Sequence, residues 1–246
     1  MLKKRLIICL TFLDGVLFRT KKFNPDYRYT KNFIDLWSID EIILIDISKK
    51  KFSNEFINLI KFFSNNCFVP ISVGGSIEKL SHADLYFKNG ADKIILGTSS
   101  IQNNGIISQI AKKYGSQSII QSIDVKKNKI SKYKLTLKSG TVLTEIDPAE
   151  AIKTSLSSGA GEILINNVDL DGSLLGYDLN LVKEITRGFK CQFLVLGGAG
   201  NWDHISSLLK ETDISAACTQ NIFHFTEESI ISAKKFLKEK NIEIRI

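Results

Sequence analysis

The sequence predicts an α/β fold in which eight parallel strands close into a (β/α)8 TIM barrel. Three observations carry that expectation. Short apolar runs such as Ile42–Ile45, Val69–Val73 and Phe193–Leu196 alternate with amphipathic segments, the pattern of buried parallel strands joined by helices. Two of these runs break into glycines, Gly74-Gly75 and Gly197-Gly198, and the second pair follows the first by 123 residues in a chain of 246. That spacing implies a half-barrel internal repeat, and two four-strand halves related by a rotation form a ring. The length is also that of one such barrel, about 250 residues, so residues 1–246 read as a single domain. An open doubly wound sheet is the alternative architecture.

Taken in order, Arg5 to Leu10 is the first strand, and Asp14 to Tyr29 is a polar loop. Thr30 then caps a short helix ending near Trp37. Ile42 to Asp46 is the second strand, and Ser53 caps an amphipathic helix over Glu55 to Phe63. Val69 to Val73 is the third strand, with a helix from about Glu78 to Asn89. Lys93 to Leu96 is the fourth. Ser118 to Ile123 is the fifth, and the alternating stretch Lys132 to Leu137 before Ser139-Gly140 marks a β-hairpin insertion after it. Pro148 suits the first turn of a helix running to Ser158. Ile163–Asn167, Phe193–Leu196 and Ile214–Thr219 complete the strands, with helices beginning near Asn201 and spanning Glu227 to Lys240.

Composition narrows the function. A net charge of +7 comes from 33 basic residues spread along the chain, without aromatic interleaving or a nucleic-acid motif. An anionic small-molecule substrate explains it better than nucleic acid. No window reaches the ~20 apolar residues of a membrane span. Leu2 to Leu10 resembles a leader, but Asp14 and Arg19 interrupt it, so a buried strand and a cytoplasmic chain are expected. Cys9, Cys67 and Cys218 sit in or beside apolar runs as core residues, and Cys191 has no paired motif. His82, His204 and His224 form no metal pattern, and neither a metal nor an organic cofactor is expected.

In a barrel, the C-terminal ends of the strands surround one mouth. Thr11, Asp46, Gly74, Gly97, Asp124, Asn167, Asp169, Gly197 and Asn221 fall there, while Arg5, Glu41, Lys93 and Glu162 begin strands and ring the opposite floor. The Gly-Gly turns admit a close ligand approach, and their N–H groups suit phosphate; a ligand-free turn needs glycine equally.

These residues carry a resemblance over nearly the whole chain. Ser72-Val73-Gly74-Gly75, Gly90-Ala91-Asp92-Lys93, Gly159-Ala160-Gly161-Glu162, Asp169-Leu170-Asp171-Gly172, Gly197-Gly198-Ala199-Gly200 and Phe223-His224-Phe225 occur in the order of the HisF-type cyclase subunit of imidazole glycerol phosphate synthase. The resemblance implies a barrel paired with a HisH-like glutaminase, whose ammonia enters through the floor and reacts at the mouth with a phosphorylated substrate. It assigns an ammonia gate to Arg5, Glu41, Lys93 and Glu162, and a glutaminase contact to Asp92. Gly74, Gly75, Thr98, Asp171, Gly172, Gly197, Gly198 and Asn221 become phosphate and substrate positions.

The family's general acid and base are two aspartates, ending the first and fifth strands. Asp124 matches the second; Thr11 stands at the first, and a hydroxyl is no carboxylate base. Gly97, the pair Asn166-Asn167, Leu196 and Gln220-Asn221 also depart from the family pattern. An intact gate beneath an altered mouth resembles a divergent, WbuZ-like branch associated with amidation of bacterial surface sugars, in which a sugar amidotransferase is a further partner. That amidation role is the first expectation. The alternative is the synthase subunit of histidine biosynthesis, forming imidazole glycerol phosphate and AICAR from PRFAR and ammonia. A non-catalytic scaffold that activates the glutaminase is a third.

Overall fold

The computed structural model describes residues 3–29, 39–103, 105–220 and 230–245. Eight parallel strands close on themselves: β1 (Arg5–Leu13), β4 (Glu41–Asp46), β5 (Ile71–Gly74), β6 (Lys93–Leu96), β7 (Ile119–Lys127), β10 (Glu162–Asn167), β11 (Gln192–Leu196) and β12 (Ala216–Thr219). Pairing of β12 with β1 and of β7 with β10 leaves no open edge, so the barrel rather than the open sheet is the architecture. Helices α1 (Asn54–Asn66), α2 (Leu80–Lys88), α3 (Thr98–Gln102), α4 (Gly105–Tyr114), α5 (Pro148–Ser157), α6 (Leu179–Thr186), α7 (Trp202–Glu211) and α8 (Ile230–Glu239) lie between or after the strands.

The local signals act as their chemistry requires. Ser53 accepts from the Phe56 backbone N–H at 3.2 Å, Asn201 from His204 at 2.9 Å, and Asp147 from Ala149 at 2.7 Å with Pro148 following. The expected insertion is present: β8 (Tyr133–Leu137) pairs antiparallel with β7 and with β9 (Val142–Leu143).

The stretch Asp14 to Tyr29 is not a loop. β1 continues past Leu10 to Leu13 and turns through Asp14-Gly15 into β2 (Val16–Lys21) and β3 (Asn24–Tyr29), a second antiparallel hairpin. Its polar residues hide the alternation because much of this hairpin is solvent-exposed. The short helix expected from Thr30, together with Asn221, His224 and the start of the last helix, lies outside the described residues.

Strand alternation divides the core in two. On β1, Leu6, Ile8 and Leu10 pack outward against the helices, while Ile7 and Cys9 join Ile43, Ile95, Leu164 and Leu194 inside the barrel. Period two therefore puts Arg5, Ile7, Cys9 and Thr11 on one face: a charge at the floor, apolar bulk in the middle and a hydroxyl at the mouth. Cys9, Cys67 and Cys218 are buried free thiols, as their apolar neighbours predict. Among the described residues no helix is long and apolar enough to cross a membrane.

Candidate functional site

The floor is a closed ring of charge. Arg5 Nη1 bonds to Glu41 Oε1 and lies 3.2 Å from Glu162 Oε1. Lys93 Nζ completes the circuit, 3.1 Å from Glu41 Oε2 and 3.2 Å from Glu162 Oε1. Each residue opens a different barrel strand, so four separated sequence positions meet only because the sheet closes. Arg5 also donates to Gln192 Oε1 at 2.9 Å. All four side chains are at most 14% exposed, and two cations against two carboxylates leave the ring neutral, the condition under which buried ions are tolerable. Burial alone would lower the Arg5 proton affinity; Glu162 and Glu41 outweigh it and raise it.

Asp92 immediately precedes Lys93 at the start of β6 and is exposed; its Oδ2 accepts from the Ile71 backbone N–H at 2.8 Å. A groove of about 640 Å³ opens on the floor face near the starts of β11 and β12, lined by Lys4, Gln192 and Asp213 among others. Above the ring the interior is apolar except for Ser72, whose fully buried hydroxyl has no hydrogen-bond partner among the described residues.

The mouth is a cavity of about 590 Å³. Thr11, Asp46, Gly75, Thr98, Asp124 and Asp171 are in its wall. Asp124 Oδ1 accepts from Ser122 Oγ and Asn166 Nδ2, both at 3.1 Å. Burial pushes the Asp124 carboxyl up to about 6; the bonds from Asn166 and Ser122 oppose this, and the charge of Asp171 adds to it. The neutral acid is thus favoured by folding. The folded protein binds more protons than the unfolded chain between about pH 3.8 and pH 6, so this group's cost to stability appears as pH rises through that window. Asp124→Asn should accordingly raise Tm above pH 6 by about 2–4 °C, the effect of about 1 kcal/mol in a chain of this size, and leave it unchanged near pH 3. Thermal melts at the two pH values check this.

Thr11 Oγ1 faces Gln220 Nε2 at 3.4 Å, and Gln220 in turn holds Thr20 of the β2–β3 hairpin, accepting from its N–H at 3.0 Å. Asp171 Oδ2 accepts from Thr20 Oγ1 at 2.9 Å and from the Phe23 N–H at 3.0 Å. The hairpin thus docks on the loop after β10, a connection absent from any sequence motif. Arg19, on the same hairpin, lines a niche of about 20 Å³ with Gly172, Gly197 and Gly198. That niche has room for roughly one water.

Of the expected phosphate positions, Gly74, Gly75 and Thr98 belong to the large cavity and Gly172, Gly197 and Gly198 to the small niche. The Thr98 hydroxyl already accepts from the Lys138 N–H at 2.8 Å. Four of the glycines, Gly75, Gly172, Gly197 and Gly198, are demanded by packing alone. A Cβ on Gly198 would stand 2.0 Å from the Gly176 carbonyl oxygen, and one on Gly75 2.5 Å from that of Asp46. Among the described residues no three His, Cys, Asp or Glu side chains gather as a metal would need.

The profile of the family described as "Histidine biosynthesis protein" matches residues 8–229. Over the full length of both chains, the sequence is 34% identical to "Imidazole glycerol phosphate synthase subunit HisF" of Hydrogenobaculum and 31% identical to the protein of that name from Bacillus cereus. It is 35% identical to "Putative imidazole glycerol phosphate synthase subunit hisF2" of Vibrio vulnificus, covering all of this chain and 92% of that one. A closed parallel barrel, a neutral ion ring on its floor and a full-length match to HisF proteins lead to one conclusion: the chain belongs to the histidine biosynthesis protein family, as a HisF-type barrel.

Proposed function

We propose that this chain is the ammonia-using subunit of a two-chain synthase of the imidazole glycerol phosphate synthase type. A HisH-like glutaminase docks on the floor around Asp92. Ammonia passes the ring of Arg5, Glu41, Lys93 and Glu162, crosses the apolar interior, and reacts in the cavity carrying Asp124. The observation that carries the reading is the neutral, closed ring lying on the same barrel axis as an acid-lined cavity. The apolar layer between them suits a neutral molecule and excludes ammonium, because an isolated ion there is unpaired.

The names of the relatives favour synthesis of imidazole glycerol phosphate, for which the family resemblance implies PRFAR as substrate and AICAR as second product; none of the names points to amidation of a surface sugar. One observation speaks for a different acceptor. Thr11 occupies the position of the first-strand aspartate, and its hydroxyl is turned toward Gln220. The test is purified chain, an ammonium salt at alkaline pH and PRFAR. Turnover in the range of ordinary HisF subunits supports the imidazole-forming reading. No turnover, from protein that still binds its glutaminase, transfers the proposal to another acceptor.

A further inference from the structure

We propose that Gln220 and Leu196 determine substrate specificity by dividing the mouth. The reacting cavity takes a ligand with a phosphoryl group at one end and excludes a ligand that carries one at each end. The inference rests on the proposed function only for which cavity is the reacting one.

The glycine turns that the family resemblance groups as phosphate positions open into two separate spaces. Gly75 and Thr98 line the 590 Å³ cavity, while Gly172, Gly197 and Gly198 line the 20 Å³ niche. Leu196, Gln220 and Asp171 line both, so these three side chains are the wall between the spaces. Leu196 and Gln220 are also positions at which the sequence departs from the family pattern.

The wall is held in place. Leu196 is buried and packs into the apolar interior of the barrel. Gln220 is held by hydrogen bonds instead. Its Oε1 accepts from the Thr20 N–H at 3.0 Å, and its Nε2 donates to Thr20 Oγ1 at 3.0 Å and to Thr11 Oγ1 at 3.4 Å. An amide with both ends engaged by β1 and β2 must break those bonds before it can swing aside. The hydroxyl of Thr11 thereby helps to fix the wall.

Size and charge both keep a phosphoryl group out of the niche. The space suits roughly one water, and a phosphorus with its oxygens is several times larger. Arg19 brings a cation to the niche, but it is paired with Asp26, and Asp171 adds a carboxylate to the same lining. Two carboxylates answer that charge, so an anion meets no net attraction there. The large cavity differs at its other end. Lys51 and Lys138 line it, and the Lys138 N–H donates to Thr98 Oγ1 at 2.8 Å, which sets that lysine beside the Thr98 turn. Lys51 follows β4, the strand that pairs with β5 and its Gly75 turn. A phosphoryl group therefore has one seat in the mouth, at Gly75 and Thr98.

Crystals of the full chain soaked in inorganic phosphate should show phosphate at the Gly75 and Thr98 turns and none in the niche. Phosphate against Gly197 and Gly198, or none beside Thr98, overturns the proposal. Calorimetry supplies a second measurement, because PRFAR carries two phosphoryl groups and AICAR one. The parent chain should bind PRFAR no more than about threefold tighter than AICAR; a larger preference means that both ends are seated and overturns the division. Gln220→Ala and, separately, Leu196→Ala should each tighten PRFAR by about 10–100-fold, the weight of hydrogen bonds to a charged group, with AICAR nearly unchanged. Leu196→Ala keeps the Gln220 bonds and so opens the wall without releasing the hairpin. A folded variant that lacks the gain removes its residue from the wall and overturns the proposal. If the parent binds neither compound, the imidazole-forming reading fails and the phosphate soak decides the division by itself.

Discussion

Replacing Lys93 by methionine is expected to release several glutamates for each product formed in the reconstituted two-chain complex, where the parent should release about one. Lys93 is the only lysine in a ring whose two carboxylates share it with Arg5. Without it the ring carries one net negative charge at side-chain exposures of 3% and 8%. An uncompensated buried charge costs on the order of 3–5 kcal/mol, so Glu41 or Glu162 must take up a proton, swing outward or admit water. Each outcome breaks the circuit and opens the floor to solvent, where ammonia is lost. The measurement is the ratio of glutamate to product. A ratio near one in a folded Lys93→Met complex removes the ring from the delivery path and leaves it a structural tie between strands.

Gly198→Ala should lower Tm by about 5–10 °C, a larger effect than a ligand-binding glycine alone would predict. Gly198 has φ +105°, a conformation that side chains rarely adopt, and its Cβ would lie 2.0 Å from the Gly176 carbonyl oxygen. The obstacle is backbone, and it is held there by the Gly176 N–H donating to the Gly198 carbonyl at 2.7 Å. The turn after β11 and the Gly176 turn must separate, losing that bond and straining φ, at about 2–3 kcal/mol together. A chain of this size converts that into the stated range. A bulkier Gly198→Asp would displace the same turn, so a weakened phosphate affinity in that variant would report the turn's movement as much as a repelled anion. Gly15, with φ +90° and nothing within 4 Å of its Cβ, separates the two costs. Gly15→Ala carries the strain without the clash and should cost less than half as much.

The elements with strong local chemistry were legible from residues alone. Ser53, Asp147-Pro148 and Asn201 cap helices within one to three residues of their own position, so their signals do not depend on distant parts of the chain. The barrel strands were legible because parallel strands buried on both faces read as unbroken apolar runs. β4 and β6 agree with the expected limits to within a residue. Helices α3, α4 and α6 have no counterpart in the sequence-based expectation. The β2–β3 hairpin was read as a loop because its strands are held by one another and by the Asp171 loop rather than by an apolar face. The floor charges were placed correctly on strand starts by counting along each strand.

What the sequence by itself determined is therefore periodic or local: eight strands, their order, the caps, and which residues fall at each strand's two ends. The family resemblance gave the four floor residues, already placed at strand starts, their gate role, and added Asp171 to the mouth positions. Only the tertiary structure decided which of these groups meet and what each one still lacks. Arg5 and Glu162 are 157 positions apart and share a hydrogen bond because the sheet closes. Asp171 accepts from Thr20 and Phe23, residues about 150 positions earlier. Sequence spacing specifies direction along an element; a site also needs distance, burial and hydrogen-bond partners, and these exist only after the elements pack.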